Sequence, residues 1–185
     1  MSRKKQKVEI PELYKCVTID VGKHTGIAIW NGTFFPEVHT INYGKKIKGN
    51  IELYLETMSK YVYPLLNHYS FLCYQKLSSD KLSFIQIEGT ELWEKSSKSL
   101  TSATRGDLFT VSYLVGVYFQ IALQFTDDIR ISTARQWKKQ LSKEGTAARI
   151  KRINGMTYKN EHIADAVAMG FANVEDIWYL KRSRK

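Results

Sequence analysis

The chain has 185 residues, 43% of them hydrophobic and 12% aromatic, which suits one domain with a substantial core. It carries 28 Lys and Arg against 18 Asp and Glu, and the net charge of +10 indicates a polyanionic partner, with nucleic acid the first candidate. No segment approaches the roughly 20 apolar residues of a membrane span, so we expect no membrane partner. The charge is uneven: from Arg130 onward 13 basic residues stand against 5 acidic ones, which predicts a strongly positive surface.

The two ends of the chain and its two cysteines bear on domain limits and compartment. Residues 1–14 are basic and lack the apolar core of a signal peptide, so we expect a flexible arm. A single domain is expected over 15–175, followed by a basic tail over 176–185. Cys16 and Cys73 show no CxxC spacing and are interpreted as buried thiols, which indicates an intracellular, reducing compartment such as the cytoplasm.

The first predicted strand ends in a carboxylate. Cys16–Val21 is an apolar and β-branched run suited to burial, and it contains Asp20 just before Gly22. An acid at this place needs a partner. A metal ion held by further carboxylates is one possibility, and an Asp that merely caps the turn is the other; this stretch alone leaves both open.

Two further strands are predicted to return beside the first. Gly22 and Gly26 bracket a short hairpin turn, after which Gly26–Trp30 resumes the apolar run. Asn31-Gly32 is a second hairpin signal, and Thr33–Ile41 is expected to form a third antiparallel strand with an edge or bulge at Pro36.

The rest of the chain alternates helices with short strands. The predicted elements are a helix from Asn50 to about Tyr74, a strand Leu82–Glu88, a helix Leu100–Phe125, a strand Ile129–Ser132, a helical stretch Thr133–Gln140, and a helix Glu161–Ala172 with Asn160 as N-cap. The second of these, like the first strand of the chain, ends in an acid before a glycine. Parallel neighbours would bring Asp20 and Glu88 to the same end of the sheet, where sites of α/β proteins form.

The last helix carries a polar pair. His162 and Asp165 are three residues apart and therefore share one helix face. The apolar stripe lies to one side of them, so periodicity alone leaves Asp165 equally compatible with a solvated surface position. His24, His39 and His68 are interpreted as structural or exposed residues away from any ligand set.

In this order the motifs resemble a family. The stretches IDVGKHTGIAIW, IEG and HIADAVAMGFA, together with the basic run from Lys138 to Arg152, are similar to those of RuvC-type Holliday-junction resolvases, members of the ribonuclease H-like nuclease superfamily. The resemblance implies an α/β fold with a mixed five-stranded sheet, three antiparallel strands and then two parallel ones, flanked by helices. A viral or phage member is among the expectations, which would place the protein in the host cytoplasm.

The resemblance also implies a reaction and its residues. The activity is cleavage of four-way or other branched DNA by paired symmetric nicks that leave 5′-phosphate and 3′-hydroxyl ends. Two Mg²⁺ or Mn²⁺ ions per site would be held by Asp20, Glu88, His162 and Asp165, with Asp20 bridging them and His162 acting as ligand or as the group that orients water. His162 stands where many members have Asp, which leaves the metal geometry open.

The DNA-binding residues follow from the same resemblance. Backbone phosphates would be neutralised by Lys138, Lys139, Lys143, Arg149, Lys151 and Arg152. Trp93 is a candidate wedge that pushes into the junction, with a core or dimer-contact role as the alternative. Two symmetric cuts imply a twofold homodimer, with the helix Leu100–Phe125 the expected interface.

Three other classes of function stay open. A ribonuclease H-like enzyme acting on RNA–DNA hybrids would use the same carboxylates, and a junction-binding protein without catalysis would use the same cations. An actin-like ATP-binding domain begins with a similar hairpin, but it needs a second phosphate loop in a duplicated half for which 185 residues leave no room.

Overall fold

The computed structural model describes residues 15–22, 24–42, 52, 55–56, 58–68, 82–90, 107–139 and 141–174. The predicted N-terminal arm, the C-terminal tail, Cys73 and Trp93 lie outside these residues, so the expectations about them stay predictions. Cys16 is a buried free thiol, as predicted.

The described residues form a succession of strands and helices. In chain order these are β1 (Lys15–Asp20), β2 (His24–Asn31), β3 (Glu37–Asn42), the helical segment α1 (58–68, whose first turn Met58–Val62 is π-helical), β4 (Phe84–Gly89), α2 (Asp107–Ala122), β5 (Ile129–Thr133), α3 (Ala134–Lys138), α4 (Lys143–Asn154) and α5 (Glu161–Ala172). None of the helices in this part of the chain is both long enough and apolar enough to cross a membrane.

The strands form one mixed five-stranded sheet in the order β3-β2-β1-β4-β5. β1 pairs antiparallel with β2, and β2 pairs antiparallel with β3. On the other side β1 pairs parallel with β4, and β4 pairs parallel with β5. The predicted ribonuclease H-like architecture, three antiparallel strands followed by two parallel ones, is therefore confirmed, and β1 lies at its centre.

The predicted elements differ from the structure in several places. β3 begins at Glu37 rather than Thr33, because residues 32–35 form bends and Pro36 has no N–H to donate to a neighbouring strand. α2 ends at Ala122 rather than Phe125, where the chain turns. The basic segment Lys138–Arg152 was not assigned a regular structure from sequence, yet most of it forms α4, which Ser142 caps by accepting a hydrogen bond from the N–H of Gly145 at 3.1 Å.

The alternation of side chains along β1 divides the core into two layers. Val17 and Ile19 face one side of the sheet and pack in a cluster that includes Leu66 of α1 and Tyr118 of α2. Cys16 faces the opposite side, in a cluster built mainly with α5. Because side chains of a strand point alternately to opposite faces, Asp20 falls on the side that α5 covers.

α5 lies unusually close to β2, and two glycines make this approach possible. A Cβ at Gly26 would overlap the backbone carbonyl of His162, and a Cβ at Gly170 would overlap the indole ring of Trp30. Gly26 is therefore a packing residue inside β2 rather than the turn residue that the sequence suggested, since β2 already begins at His24. The two contacts fix the start and the end of α5 against the sheet.

A buried hydrogen-bond chain joins α5 to β1. Oγ1 of Thr18 donates to the backbone carbonyl of Ala166 at 2.7 Å and accepts from Nε1 of Trp30 at 3.1 Å. These groups are almost completely buried, so each bond also avoids the cost of an unpaired polar atom in the core. The position of α5 along the sheet is thereby set by specific bonds as well as by packing.

Candidate active site

Two neighbouring parallel strands end in acids on the same face of the sheet. Asp20 is the last residue of β1, and Glu88 lies near the end of β4. The parallel register pairs Ile19 with Ile87, so Asp20 and Glu88 occupy corresponding positions. The predicted meeting of the two strand-end carboxylates is therefore what the register produces.

The first turn of α5 brings His162 onto Asp20. The side chain of Asn160 accepts hydrogen bonds from the backbone N–H groups of His162 at 2.9 Å and Ile163 at 3.4 Å, which confirms the predicted N-cap. Nδ1 of His162 lies 2.8 Å from Oδ2 of Asp20. With an ionised Asp20, Nδ1 carries the proton and donates it, which leaves Nε2 as the ring nitrogen available to water or a metal.

The short helix α3 supplies partners for the other two carboxylates. Nε1 of Trp137 donates to Oε2 of Glu88 at 3.0 Å. Nζ of Lys138 donates to both carboxylate oxygens of Asp165, at 2.9 and 3.2 Å. Asp165 is thus turned into the site rather than to solvent, which resolves the question that helical periodicity left open.

The three acids Asp20, Glu88 and Asp165, here called the carboxylate cluster, interact electrostatically. Burial raises the pKa of Glu88 to about 8, and the negative charges of Asp20 and Asp165 add to the effect, while the hydrogen bond from Trp137 opposes it. Burial also raises the pKa of Asp20, against the opposing influence of His162. The negative charges therefore repel one another in a site from which water is largely excluded.

The pKa of His162 is raised, whereas burial alone would lower it. Its hydrogen bond to the Asp20 carboxylate raises the pKa of His162, although partial burial lowers it. At mildly acidic pH the pair therefore holds a proton between a strand-end acid and the imidazole that covers it.

The chemistry of the donor set fits a hard divalent cation. The pKa values of Asp20 and Glu88 are raised by burial first and then by neighbouring negative charge, so a cation would stabilise their ionised forms. Carboxylate oxygens are the ligands that Mg²⁺ and Mn²⁺ prefer. Within the described residues, no three His, Cys, Asp or Glu side chains are already arranged as a ready ligand set.

His24 lies close to the candidate ligand His162, whereas the sequence-based interpretation placed it away from any ligand. Its ring centroid lies 5.9 Å from that of His162, with the ring planes 35° apart. It is exposed at the start of β2. His24 therefore stands at the solvent side of the His162–Asp20 pair. A hairpin residue two positions after Gly22 is the sequence signal that could have indicated this placement.

The predicted DNA-binding cations fall into different environments. Lys138 forms an ion pair with Asp165 of the carboxylate cluster. Lys143 forms an exposed ion pair with Glu161 at the start of α5. The other described members are Lys139, Lys151 and Arg152, which are exposed, and Arg149, which is half-buried. The last turn of α4 thus presents its cations about 12 Å along the helix from Lys143, at 1.5 Å per residue.

Comparison with known proteins finds solved structures that are similar to this chain. No protein-family profile and no curated protein sequence matches the chain. The Thermus thermophilus RuvC structure is 14% identical, with a TM-score of 0.48, over 87% of this chain and 93% of that one. A structure of T. thermophilus RuvC in complex with Holliday junction substrate is 12% identical, with a TM-score of 0.47 over the same shares. Neither comparison supports a viral or phage origin for this chain.

Proposed function

We propose that the protein is a divalent-metal-dependent endonuclease that nicks branched DNA, with four-way junctions as the preferred substrate. The observation that carries the proposal is the carboxylate cluster: two strand-end acids and one acid from the last helix meet on one face of a ribonuclease H-like sheet. The net charge of +10 supports a nucleic acid as substrate. The choice of junctions rests on the motif resemblance.

Asp20, Glu88 and Asp165, with His162 as a fourth ligand or as an orienting group, would hold two Mg²⁺ or Mn²⁺ ions. Such ions supply a nucleophilic water at neutral pH and neutralise the charge that grows on the phosphate. The protein contributes orientation. Trp137 fixes one oxygen of Glu88, and His162 fixes one oxygen of Asp20, so that the rotamers of both acids are restricted before any ion would bind.

The exposed cations near the site would bind the backbone of the DNA. Lys143 at the start of α4 and Lys151 and Arg152 at its end lie along one helix, and Lys139 follows α3. Phosphate contacts of this kind position the duplex without reading its sequence. They account for affinity and orientation, whereas the geometry of the junction would determine where the carboxylate cluster meets a phosphodiester.

A homodimer would place two such sites on one junction. The segment 108–126, which contains most of α2, has no charged residue. One side of α2 packs on the sheet, while Phe109 is 70% exposed, Leu123 directly after the helix is 46% exposed, and a Cβ at Gly116 between them would meet open space. These residues are seven positions apart, a spacing that places helical residues on one face. We infer that α2 packs against α2 of a second copy.

The test is incubation with an end-labelled, immobile four-way junction, with and without Mg²⁺, followed by mapping of any cuts. Wild-type protein should produce paired symmetric nicks only with metal. Asp20→Asn should abolish cleavage and keep junction binding, because it preserves the shape but not the charge that holds both ions. Cleavage by Asp20→Asn within tenfold of wild type would refute the assignment of Asp20.

The same assay separates the alternatives. An enzyme for RNA–DNA hybrids would cleave a labelled hybrid in preference to the junction when the two compete. A junction-binding protein without catalysis would shift the junction in a native gel and leave its strands intact at every metal concentration.

A further inference from the structure

The ammonium group of Lys138 contacts one acid of the carboxylate cluster. Nζ of Lys138 contacts both oxygens of Asp165, and the two side chains are only 14% and 22% exposed. A pair with this degree of burial is screened by solvent much less than a surface ion pair. Lys138 therefore neutralises a negative charge that a divalent ion would otherwise neutralise.

The residues on either side of Lys138 hold the end of α3 in place, with the Lys138 side chain directed at Asp165. Its neighbour Trp137 is 3% exposed and bonded to Glu88, so two consecutive residues point at two different acids. Directly afterwards Lys139 adopts φ 55° and ψ −121°, a strained conformation for a residue with a Cβ. The N–H of Lys139 donates to the carbonyl of Arg135 at 3.1 Å and closes the helix. The end of α3 is thus held at a defined place.

We propose that Lys138 is an internal counter-ion that a divalent cation must displace from Asp165, and that a DNA phosphate takes over the released ammonium. This inference deepens the proposed function and rests on it in one respect, namely that the carboxylate cluster binds divalent ions. Metal and DNA then favour each other: the ion releases Lys138 for phosphate, and phosphate withdraws Lys138 from Asp165. The coupling is reciprocal, as linkage requires.

Competition follows from the geometry of the contact. Asp165 offers two oxygens, and Lys138 engages both, so an ion at ligand distance from either oxygen would lie close to the ammonium and be repelled by its charge. The four-carbon side chain of lysine can carry its charge several ångströms without movement of the backbone. The strained end of α3 can therefore stay in place while the ammonium changes partners.

The first test is Mn²⁺ binding to the metal-free protein, measured by isothermal titration calorimetry. Lys138→Met removes the competitor and should tighten Mn²⁺ binding at least tenfold, since a charge-assisted hydrogen bond no longer has to be broken. Lys60→Met is the matched control: it removes an exposed lysine of α1, on the opposite side of the sheet, and should change the affinity less than twofold. Lys138→Gln is measured alongside, so that loss of the fold in one variant leaves the other as the test.

An affinity for Mn²⁺ that is unchanged or weaker in the folded Lys138 variant overturns the proposal. This outcome differs from failure of the proposed function. If wild type cuts junctions but Lys138→Met does not tighten Mn²⁺ binding, the nuclease assignment stands and the counter-ion role is wrong. If Mn²⁺ binding tightens but no substrate is cut, the counter-ion role stands without the nuclease.

The second test concerns the transfer of Lys138 to phosphate. Binding of a fluorescent four-way junction is measured by anisotropy in EDTA and in Ca²⁺, and a denaturing gel verifies that the junction stays uncut. Ca²⁺ should tighten junction binding in wild type, and the tightening factor should be at least threefold smaller in Lys138→Met. Equal factors in the two proteins overturn the coupling.

Discussion

The cost of ionising Glu88, which comes from burial and from the neighbouring acids, can be measured through Glu88→Gln in the metal-free protein. The pKa of Glu88 rises from its ordinary value of 4.5 to about 8, because of burial and then the charges of Asp20 and Asp165. The folded state therefore holds a proton that the unfolded state releases near pH 4.5. Between about pH 4.5 and 8 the unfolded chain binds fewer protons than the folded one, so the free energy of unfolding falls as the pH rises.

The full shift sets a ceiling for the effect. At 1.36 kcal/mol per pKa unit, the shift corresponds to about 5 kcal/mol once the pH exceeds 8. Gln has nearly the shape of Glu, keeps an oxygen that can accept from Nε1 of Trp137, and carries no charge. We expect Glu88→Gln to match wild type near pH 5 and to be more stable by about 1–4 kcal/mol at pH 8.5.

Urea unfolding in EDTA at pH 5, 7 and 8.5 measures this difference. Glu56→Gln, which neutralises an exposed acid, should give a difference that stays within about 0.5 kcal/mol at every pH. If the carboxylate cluster binds Mg²⁺ as proposed, saturating Mg²⁺ should narrow the stability gap between Glu88→Gln and wild type, because a bound ion would stabilise the charged acids. If the stability gain of Glu88→Gln does not increase from pH 5 to 8.5, burial and the neighbouring charges do not raise the pKa of Glu88, and the description of its environment is wrong.

Three other predictions address the base, the dimer and the DNA surface. Because Asp20 raises the pKa of His162, the pair stabilises the fold below about pH 6.5 and less as the pH rises through the folded-state pKa; His162→Ala should therefore lose more stability in urea at pH 6 than at pH 8.5, and an equal loss would contradict the pairing. If the proposed homodimer packs through α2, Phe109→Asp should convert it to the 21.4 kDa monomer in sedimentation velocity, whereas Phe35→Asp, also exposed, should not; a dimer that survives Phe109→Asp would exclude α2 as the interface. Lys151→Ala with Arg152→Ala should reduce the slope of log affinity against log salt by about 1.8, the value for two phosphate contacts, and an unchanged slope means that they face away from DNA.

The strand-end acids were predictable because they depend on local pattern. Asp20 closes an apolar run before a glycine, and Glu88 does the same, so the parallel pairing of their strands was enough to place them together. The N-cap Asn160 likewise indicated the start of α5 from the sequence. Signals of this kind belong to one element at a time, and one element is what periodicity and capping rules describe.

The partners of the acids were not predictable, because they depend on packing between distant elements. Nothing in the sequence near Lys138 indicates that it binds Asp165, 27 residues later, rather than DNA. Trp137 looked like an ordinary apolar residue of a short helix, and its bond to Glu88 spans 49 residues. Gly26 resembled a turn residue because its real reason, the closeness of α5, appears only when the helix is in place.

The order in which the chain is made has a consequence for when the site exists. Asp20 lies in the first described strand, whereas Asp165 lies in the last described helix, whose start is joined to Asp20 through His162. At 5–20 residues per second, a ribosome needs roughly 7 to 30 seconds to add the residues between them. During that interval the nascent chain has its first strand-end acid but lacks His162 and Asp165. A chain that terminates before α5 could therefore not complete the carboxylate cluster, and Asp20 would have no imidazole partner.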